Sequence, residues 1–80
     1  MWSGNARELS EEIIAMLSNL GAIDETKAIS QEILKNSQQL KEKPLDDEIR
    51  KLIDMGYVKV VDGRLYLTKA GLFRALSRFS

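Results

Sequence analysis

The ten residues from Val58 to Leu67 constrain the fold of this chain more than any other stretch. Their sequence, VKVVDGRLYL, places Asp62-Gly63 between two short runs of mainly apolar residues. An Asp-Gly pair in this setting is typical of a two-residue type I′ turn, because both turn positions need a positive φ. The pattern predicts a β-hairpin whose cross-strand pairs are Val61 with Arg64, Val60 with Leu65, Lys59 with Tyr66, and Val58 with Leu67.

That register gives the hairpin two unlike faces, since residues directly opposite one another point to the same side of a sheet. One face is entirely apolar, with Val58, Val60, Leu65 and Leu67. The other face mixes basic and aromatic residues, with Lys59, Val61, Arg64 and Tyr66. A slip of one residue would mix the two sets, so the pattern specifies the register well.

A first helix is predicted from about Ala6 to Asn19, where apolar residues recur at helical spacing. Asn5 and Glu8 have the spacing of a capping box at its start. Gly21 stands where a left-handed residue commonly closes a helix.

The segment that follows allows two interpretations. One is a long helix that starts at Asp24. The other, which we favour, is a single turn at Asp24 to Lys27, a short extended piece at Ala28-Ile29, and a second helix capped by Ser30, because Ser30 and an acidic first turn suit a helix start. In both interpretations the helix fades near Asn36-Ser37, and the residues that point inward are Ile33 and Leu34.

A third helix is predicted from about Pro44 to Met55. Proline is favoured at the first helical position, because an N–H group there would have no helical partner. The apolar positions that follow at helical spacing are Leu45, Ile49, Leu52 and Ile53. Gly56 ends the helix directly before the hairpin.

The last helix is predicted to begin after Thr68, whose side chain is a suitable N-cap. Its apolar positions are Leu72, Phe73, Leu76 and Phe79. This is more apolar surface than a short terminal helix must give to so small a core. We therefore expect part of this surface to form a homodimer contact.

The composition excludes several classes of function. Eighty residues suit one domain, which we place at residues 6–80 after a flexible lead-in at residues 1–5. The lack of cysteine and histidine excludes disulfides and thiolate or imidazole metal sites, and no cofactor is expected.

No apolar run approaches the ~20 residues of a membrane span, and a signal-peptide pattern is missing, so we expect a cytoplasmic protein. Neighbouring carboxylates such as Asp46-Asp47 diverge on a helix, so no enzyme is expected.

The charges balance overall but are unevenly distributed. Twelve Lys and Arg residues equal twelve Asp and Glu residues. Residues 55–80 nevertheless hold five Lys or Arg and a single Asp, a net charge of +4, and the remainder of the chain carries −4. The first turn of the third helix, Asp46-Asp47-Glu48, is acidic, whereas the hairpin is basic.

The order of these elements resembles the winged helix-turn-helix family, an α+β fold with a three-helix core, a two-stranded hairpin called the wing, and a C-terminal helix. The resemblance covers nearly the whole chain from Leu9 onward. LIDMGYV at residues 52–58 is similar to the end of the family's recognition helix, and LYLTKAG at residues 65–71 to its wing-to-helix segment. GAID at residues 21–24 with AIS at residues 28–30 resembles small, often archaeal, members.

The resemblance implies double-stranded DNA as the partner and transcription regulation as the role. In the family the third helix enters the major groove, and the wing tip, here Val61 to Arg64, reaches the backbone or the minor groove. Carried onto this chain, the resemblance implies two sets of contacts. Phosphates would be anchored by Lys41, Lys43, Lys59 and Arg64, and bases would be contacted by Gln39, Arg50 and Lys51.

The acidic start of the third helix departs from the family pattern, because Asp46, Asp47 and Glu48 would approach phosphates. This departure favours an alternative in which that helix end docks onto a basic partner protein. A further alternative is a subunit of a larger replication or transcription assembly.

Overall fold

The computed structural model describes residues 8–38 and 40–78, the last of these through its backbone alone. Within them lie four α-helices and a three-stranded antiparallel sheet, so the chain has an α+β fold. The elements in chain order are α1 (Leu9–Asn19), a 3-10 turn (Glu25–Lys27), β1 (Ile29–Ser30), α2 (Gln31–Lys35), α3 (Leu45–Asp54), β2 (Val58–Val61), β3 (Arg64–Leu67) and α4 (Lys69–Arg78).

Helix α1 begins at Leu9, three residues later than the predicted start at Ala6. Glu8 is extended and occupies the N-cap position without a capping hydrogen bond, so the predicted capping box is wrong. Its other member, Asn5, lies outside the described residues. Two glutamates in the first turn favour the later start, because carboxylates there offset the helix dipole.

Helices α1 and α3 both end at a glycine with positive φ, as predicted. The φ angles are 76° at Gly21 and 85° at Gly56. After Gly56, the N–H of Tyr57 donates to the Leu52 carbonyl at 3.0 Å, which satisfies a last-turn acceptor. The start of α3 differs by one residue from the prediction, since Pro44 is the N-cap rather than the first helical residue.

The favoured interpretation of the segment after α1 is confirmed. The Asp24 side chain accepts from the N–H of Lys27 and closes the 3-10 turn, and Ser30 accepts from the N–H of Glu32 at the start of α2. The expected burial of Ile33 is wrong, because its side chain is 49% exposed. Helix α2 has only five residues and buries a single apolar side chain, Leu34, which leaves the adjacent position outside.

The hairpin register is confirmed at all four predicted pairs. Asp62 and Gly63 have φ angles of 51° and 75°, the positive values that a type I′ turn requires. Three of the four residues on the inner face, Val58, Leu65 and Leu67, are buried.

The sheet has one more strand than the two-stranded wing that was predicted. Strand β1, the expected extended piece, pairs antiparallel with β3, with Ile29 opposite Leu65. The strand order is β1-β3-β2, so β3 is central and β2 is an edge. This pairing satisfies backbone groups that β3 would otherwise leave open at an edge.

Two residues expected on buried faces are partly outside the core. Val60, on the inner hairpin face, is 46% exposed, although Val58 on the same strand and its own partner Leu65 are buried. Ile53 of α3 is 38% exposed. The largest fully buried side chains are Ile13, Leu17, Leu34, Leu40, Leu52, Val58, Leu65 and Leu67.

A compact joint connects the end of α3, the base of the hairpin and the start of α4. The Thr68 hydroxyl donates to the Gly56 carbonyl at 2.6 Å and accepts from the Gly71 N–H at 3.1 Å, which confirms Thr68 as the cap of α4. The Thr68 N–H donates to the Tyr57 carbonyl at 3.0 Å. Gly71 is required by packing here, since a Cβ atom at this position would collide with that carbonyl.

Candidate functional site

The outer face of the hairpin brings cations and an aromatic ring together. Lys59 lies opposite Tyr66, and Arg64 lies two residues before Tyr66 on the same strand and the same face. Both cations are exposed, while Tyr66 is partly buried and packs against the core. The register and the core therefore place a partly buried aromatic side chain beside two exposed charged ones.

Several of the cations near α3 form ion pairs with acidic side chains of the protein. Three ion pairs occur between side chains of the described residues: Lys35–Asp46 at 3.3 Å, Lys43–Glu12 at 2.9 Å and Lys51–Glu48 at 3.9 Å. Each pair places a carboxylate next to a cation and so lowers the positive potential offered to a phosphate. Two predicted nucleic-acid contacts, Lys43 and Lys51, are therefore engaged within the protein.

Four of the predicted cations have no ion pair with any other residue that the structure describes, namely Lys41, Arg50, Lys59 and Arg64. Arg50 is nevertheless surrounded on its own helix by three aspartates, which lie three or four residues away. Residues three or four apart share one face of a helix, so these aspartates lower the positive electrostatic potential around Arg50. Lys59 and Arg64 have only Asp62, in the turn, as an acidic neighbour within the hairpin.

The turn between α2 and α3 has a structural role that the sequence did not reveal. The Ser37 hydroxyl donates to the Leu34 carbonyl at 3.0 Å and accepts from the Leu40 N–H at 3.2 Å. Ser37 thus holds the end of α2 rather than presenting its hydroxyl to a ligand. Gln39, a predicted base contact, lies outside the described residues.

A cavity of about 490 Å³ opens at the start of α3. Its charged lining consists of two lysines and three acids: Lys35, Lys43, Glu42, Asp46 and Asp47. Both lysines belong to the ion pairs given above, so the lining has a net negative charge and suits a cationic group better than a phosphate.

A second groove, of about 260 Å³, lies at the base of the hairpin. Lys59 and Tyr66 from the outer hairpin face meet Lys69 from the start of α4 and Asp24 and Glu25 from the 3-10 turn. The Tyr66 hydroxyl forms no hydrogen bond, and the two lysines form no ion pair, with any residue in the described part of the chain. Several polar groups with unused hydrogen-bonding capacity therefore converge on one groove.

Two hydrogen bonds hold the carboxylate of Asp24 in the groove. The Thr26 hydroxyl donates to its carboxylate at 2.7 Å, and the Lys27 N–H donates to the same oxygen at 3.1 Å. These hydrogen bonds hold the pKa of Asp24 below its ordinary value of 3.8. Asp24 is therefore anionic at neutral pH and fixed in position.

The predicted dimer surface on α4 is partly exposed. Phe73 is 72% exposed and Leu76 is 58% exposed, whereas Leu72 is partly buried. Phe79 lies outside the described residues. Helix α4 thus buries the side that carries Ala75 and leaves an apolar strip on the surface.

Sequence reasoning missed three charged residues of the groove at the base of the hairpin: Asp24, Glu25 and Lys69. The sequence does mark Asp24 as a cap and Lys69 as the first residue of a helix. Neither signal shows that the 3-10 turn and α4 meet beside Tyr66, which depends on the tertiary contact between the Leu67 N–H and the Ala22 carbonyl at 2.7 Å.

The described residues include no group of three or more acidic side chains placed to hold a metal ion. None of the helices in that part of the chain is long and apolar enough to cross a bilayer.

Comparison with protein-family models, with curated proteins and with solved structures gives no match for this chain.

Proposed function

We propose that the chain is a DNA-binding protein of the winged helix-turn-helix type, with a role in transcription regulation. The observation that carries this proposal is the unequal use of cations: Lys59 and Arg64 on the hairpin form no ion pairs with described residues, whereas Lys35, Lys43 and Lys51 near α3 do. Cations without protein partners are the ones that contribute most when phosphates replace water and counterions.

In this proposal the hairpin supplies most of the affinity. Lys59 and Arg64 contact phosphates, with Lys41 as an additional anchor in the turn before α3. Arg50 is the remaining candidate for a base contact from α3, and Gln39 stays a prediction. Lys43 and Lys51 contribute less, because each must leave an acidic partner before it binds a phosphate.

An electrophoretic shift assay with duplex DNA over a range of salt concentrations tests the proposal. Removing one phosphate contact reduces the slope of log affinity against log salt by about 1. We expect that reduction for Arg64→Ala and Lys59→Ala, and a smaller one for Lys43→Ala, which is the matched control. The proposal fails if the protein does not bind duplex DNA at low salt, or if all three variants bind as the parent does.

A second candidate function is docking onto a basic protein through α3, and the acids at its start favour it. Asp46 and Asp47 are exposed, and the cavity beside them has a net negative lining. For this function a double substitution, Asp46→Lys with Asp47→Lys, abolishes binding to a basic partner. For DNA binding, the same change raises affinity for duplex DNA. One variant therefore distinguishes the two functions.

Homodimer formation through α4 remains part of the proposal. Phe73 and Leu76 are exposed on that helix, and burial of a large apolar side chain stabilises a complex by roughly 1.5–3 kcal/mol. Sedimentation equilibrium should show a dimer that Phe73→Ser with Leu76→Ser converts to a monomer. A parent that sediments as a monomer at high micromolar concentration contradicts this part.

A further inference from the structure

We propose that the groove at the base of the hairpin binds an unpaired nucleotide of single-stranded nucleic acid, with the base against Tyr66. The inference rests on the proposed function, because it assigns a second nucleic-acid substrate to the same hairpin face. It shares Lys59 and Arg64 with that function and adds Tyr66, Lys69 and Glu25, to which the proposal for duplex DNA gives no role.

The aromatic ring is the first requirement for such a site. Proteins that bind single strands stack exposed bases on aromatic side chains, and the interaction tolerates many sequences because every base has a π face. Tyr66 lines the groove, is partly buried and packs against the core, so its position is fixed before a ligand arrives. Its hydroxyl has no hydrogen-bond partner in the described part of the chain and is available to the edge of a base.

Cations beside the ring are the second requirement. Lys59 lies directly opposite Tyr66 across the strands, and Lys69 lines the same groove from α4. Arg64 follows along the outer face of β3 toward the hairpin turn. A strand whose base contacts Tyr66 therefore lies near three cations, and a single-strand site needs positive charge along the backbone.

The two acids in the groove select among the bases instead of opposing the ligand. Asp24 is held by the 3-10 turn and Glu25 is exposed beside it, and both line the same groove as Lys59 and Lys69. Carboxylates accept hydrogen bonds from exocyclic amino groups, as they do from the N4 of cytosine. Thymine lacks such a group, so the groove favours cytosine over thymine.

Fluorescence anisotropy with the full chain at low salt tests this inference. The probes are labelled twelve-nucleotide oligo(dC), labelled oligo(dT) of the same length, and a labelled duplex. We expect Tyr66→Leu to weaken oligo(dC) binding about tenfold, the usual scale of one lost stacking contact, and to leave duplex binding within about twofold of the parent. Tyr57→Leu is the matched control, because Tyr57 is equally a partly buried tyrosine packed on the core but does not line the groove.

Two substitutions at exposed residues test the groove without disturbing the core. Lys69→Ala should weaken oligo(dC) binding about threefold or more, as expected for one phosphate contact at low salt. Glu25→Gln should reduce the preference for oligo(dC) over oligo(dT), since an amide is a poorer acceptor for an amino group.

The possible results separate this inference from the proposed function. The inference is overturned if the parent does not bind oligo(dC), or if Tyr66→Leu and Tyr57→Leu have equal effects. Duplex binding in the same experiment would still support the proposed function. Binding of oligo(dC) that depends on Tyr66, in a protein that does not bind the duplex, supports the inference and overturns the proposal for double-stranded DNA.

Discussion

The α2–α3 side and the hairpin–α4 side of this molecule differ in how many of their lysines form ion pairs. On the first side, lysines are tied to acids, as in Lys35–Asp46 and Lys43–Glu12. On the second side, Lys59 and Arg64 form no ion pair with a described residue, and structural hydrogen bonds are made by a threonine and by backbone groups. Three lysines near α3 thus take part in internal ion pairs, although Lys41 and Arg50 on that side do not, whereas neither hairpin cation is paired with a described residue.

The largest expected effect tests the joint that supports the hairpin. Gly71→Ala places a Cβ atom against the Tyr57 carbonyl, and overpacking of this kind typically costs up to about 3 kcal/mol. Alanine is the better helix former by only about 1 kcal/mol, so the clash should dominate. Urea unfolding should show a net loss of about 2 kcal/mol. The control is Ala70→Gly, an exposed neighbour where only the helix propensity changes. A Gly71→Ala protein more stable than the parent would show that the Tyr57 carbonyl does not limit the side chain at position 71.

The next effect concerns the hydrogen bonds of the same joint. Thr68→Val keeps the shape of the side chain but removes a donor to Gly56 and an acceptor for Gly71. The loss should lower the free energy of unfolding by about 1–2 kcal/mol. Thr68→Ser retains both bonds and should stay close to the parent. Equal unfolding midpoints for the two variants would contradict the role given to the hydroxyl.

A smaller effect compares a paired lysine with an unpaired one. Lys43→Gln breaks the ion pair with Glu12 and should cost about 0.5 kcal/mol, the usual scale for an exposed pair. Lys59→Gln breaks no ion pair and should change the stability less. The difference should vanish in 1 M salt, where such pairs are screened. If Lys59→Gln proves the more destabilising change at low salt, the distinction between the two sides is wrong.

The smallest effect is the pH dependence that Asp24 contributes. Its pKa is lowered in the folded protein by the Thr26 hydroxyl, so the folded state favours the carboxylate. The associated stability is present above the ordinary value of 3.8 and is lost as the pH falls through the lowered pKa of the folded protein. NMR titration of the Asp24 carboxyl carbon should show this shift, and Thr26→Val should move the pKa back toward 3.8. An unchanged pKa in that variant would assign the shift to another cause.

Local patterns in the sequence predicted the parts of the fold that neighbouring residues determine. The turn at Asp62-Gly63 and the register around it follow from backbone conformation and alternation within ten residues. Ser30 and Thr68 were likewise identified as caps, because capping depends on residues two or three positions away.

Contacts between distant segments could not be predicted in this way. The Lys43–Glu12 ion pair joins residues that are 31 positions apart, and no local pattern specifies it. The exposure of Ile33 and Val60 depends on which neighbouring elements cover them. The spacing of apolar residues along the sequence does not give this information. For the candidate site, Lys59 and Arg64 were predicted together from the register, whereas the approach of Asp24 and Lys69 to Tyr66 required the tertiary structure.

The short strand β1 has a consequence for the order in which the chain folds. Residues 56–71 close on themselves through the Thr68 hydrogen bonds, and contacts between residues so near in sequence form early. Strand β1 must instead reach β3 from far along the chain, and it pairs there over only two residues. Its release is therefore the least costly local opening of the sheet, and amide hydrogens bonded between β1 and β3 should exchange with solvent faster than those between β2 and β3.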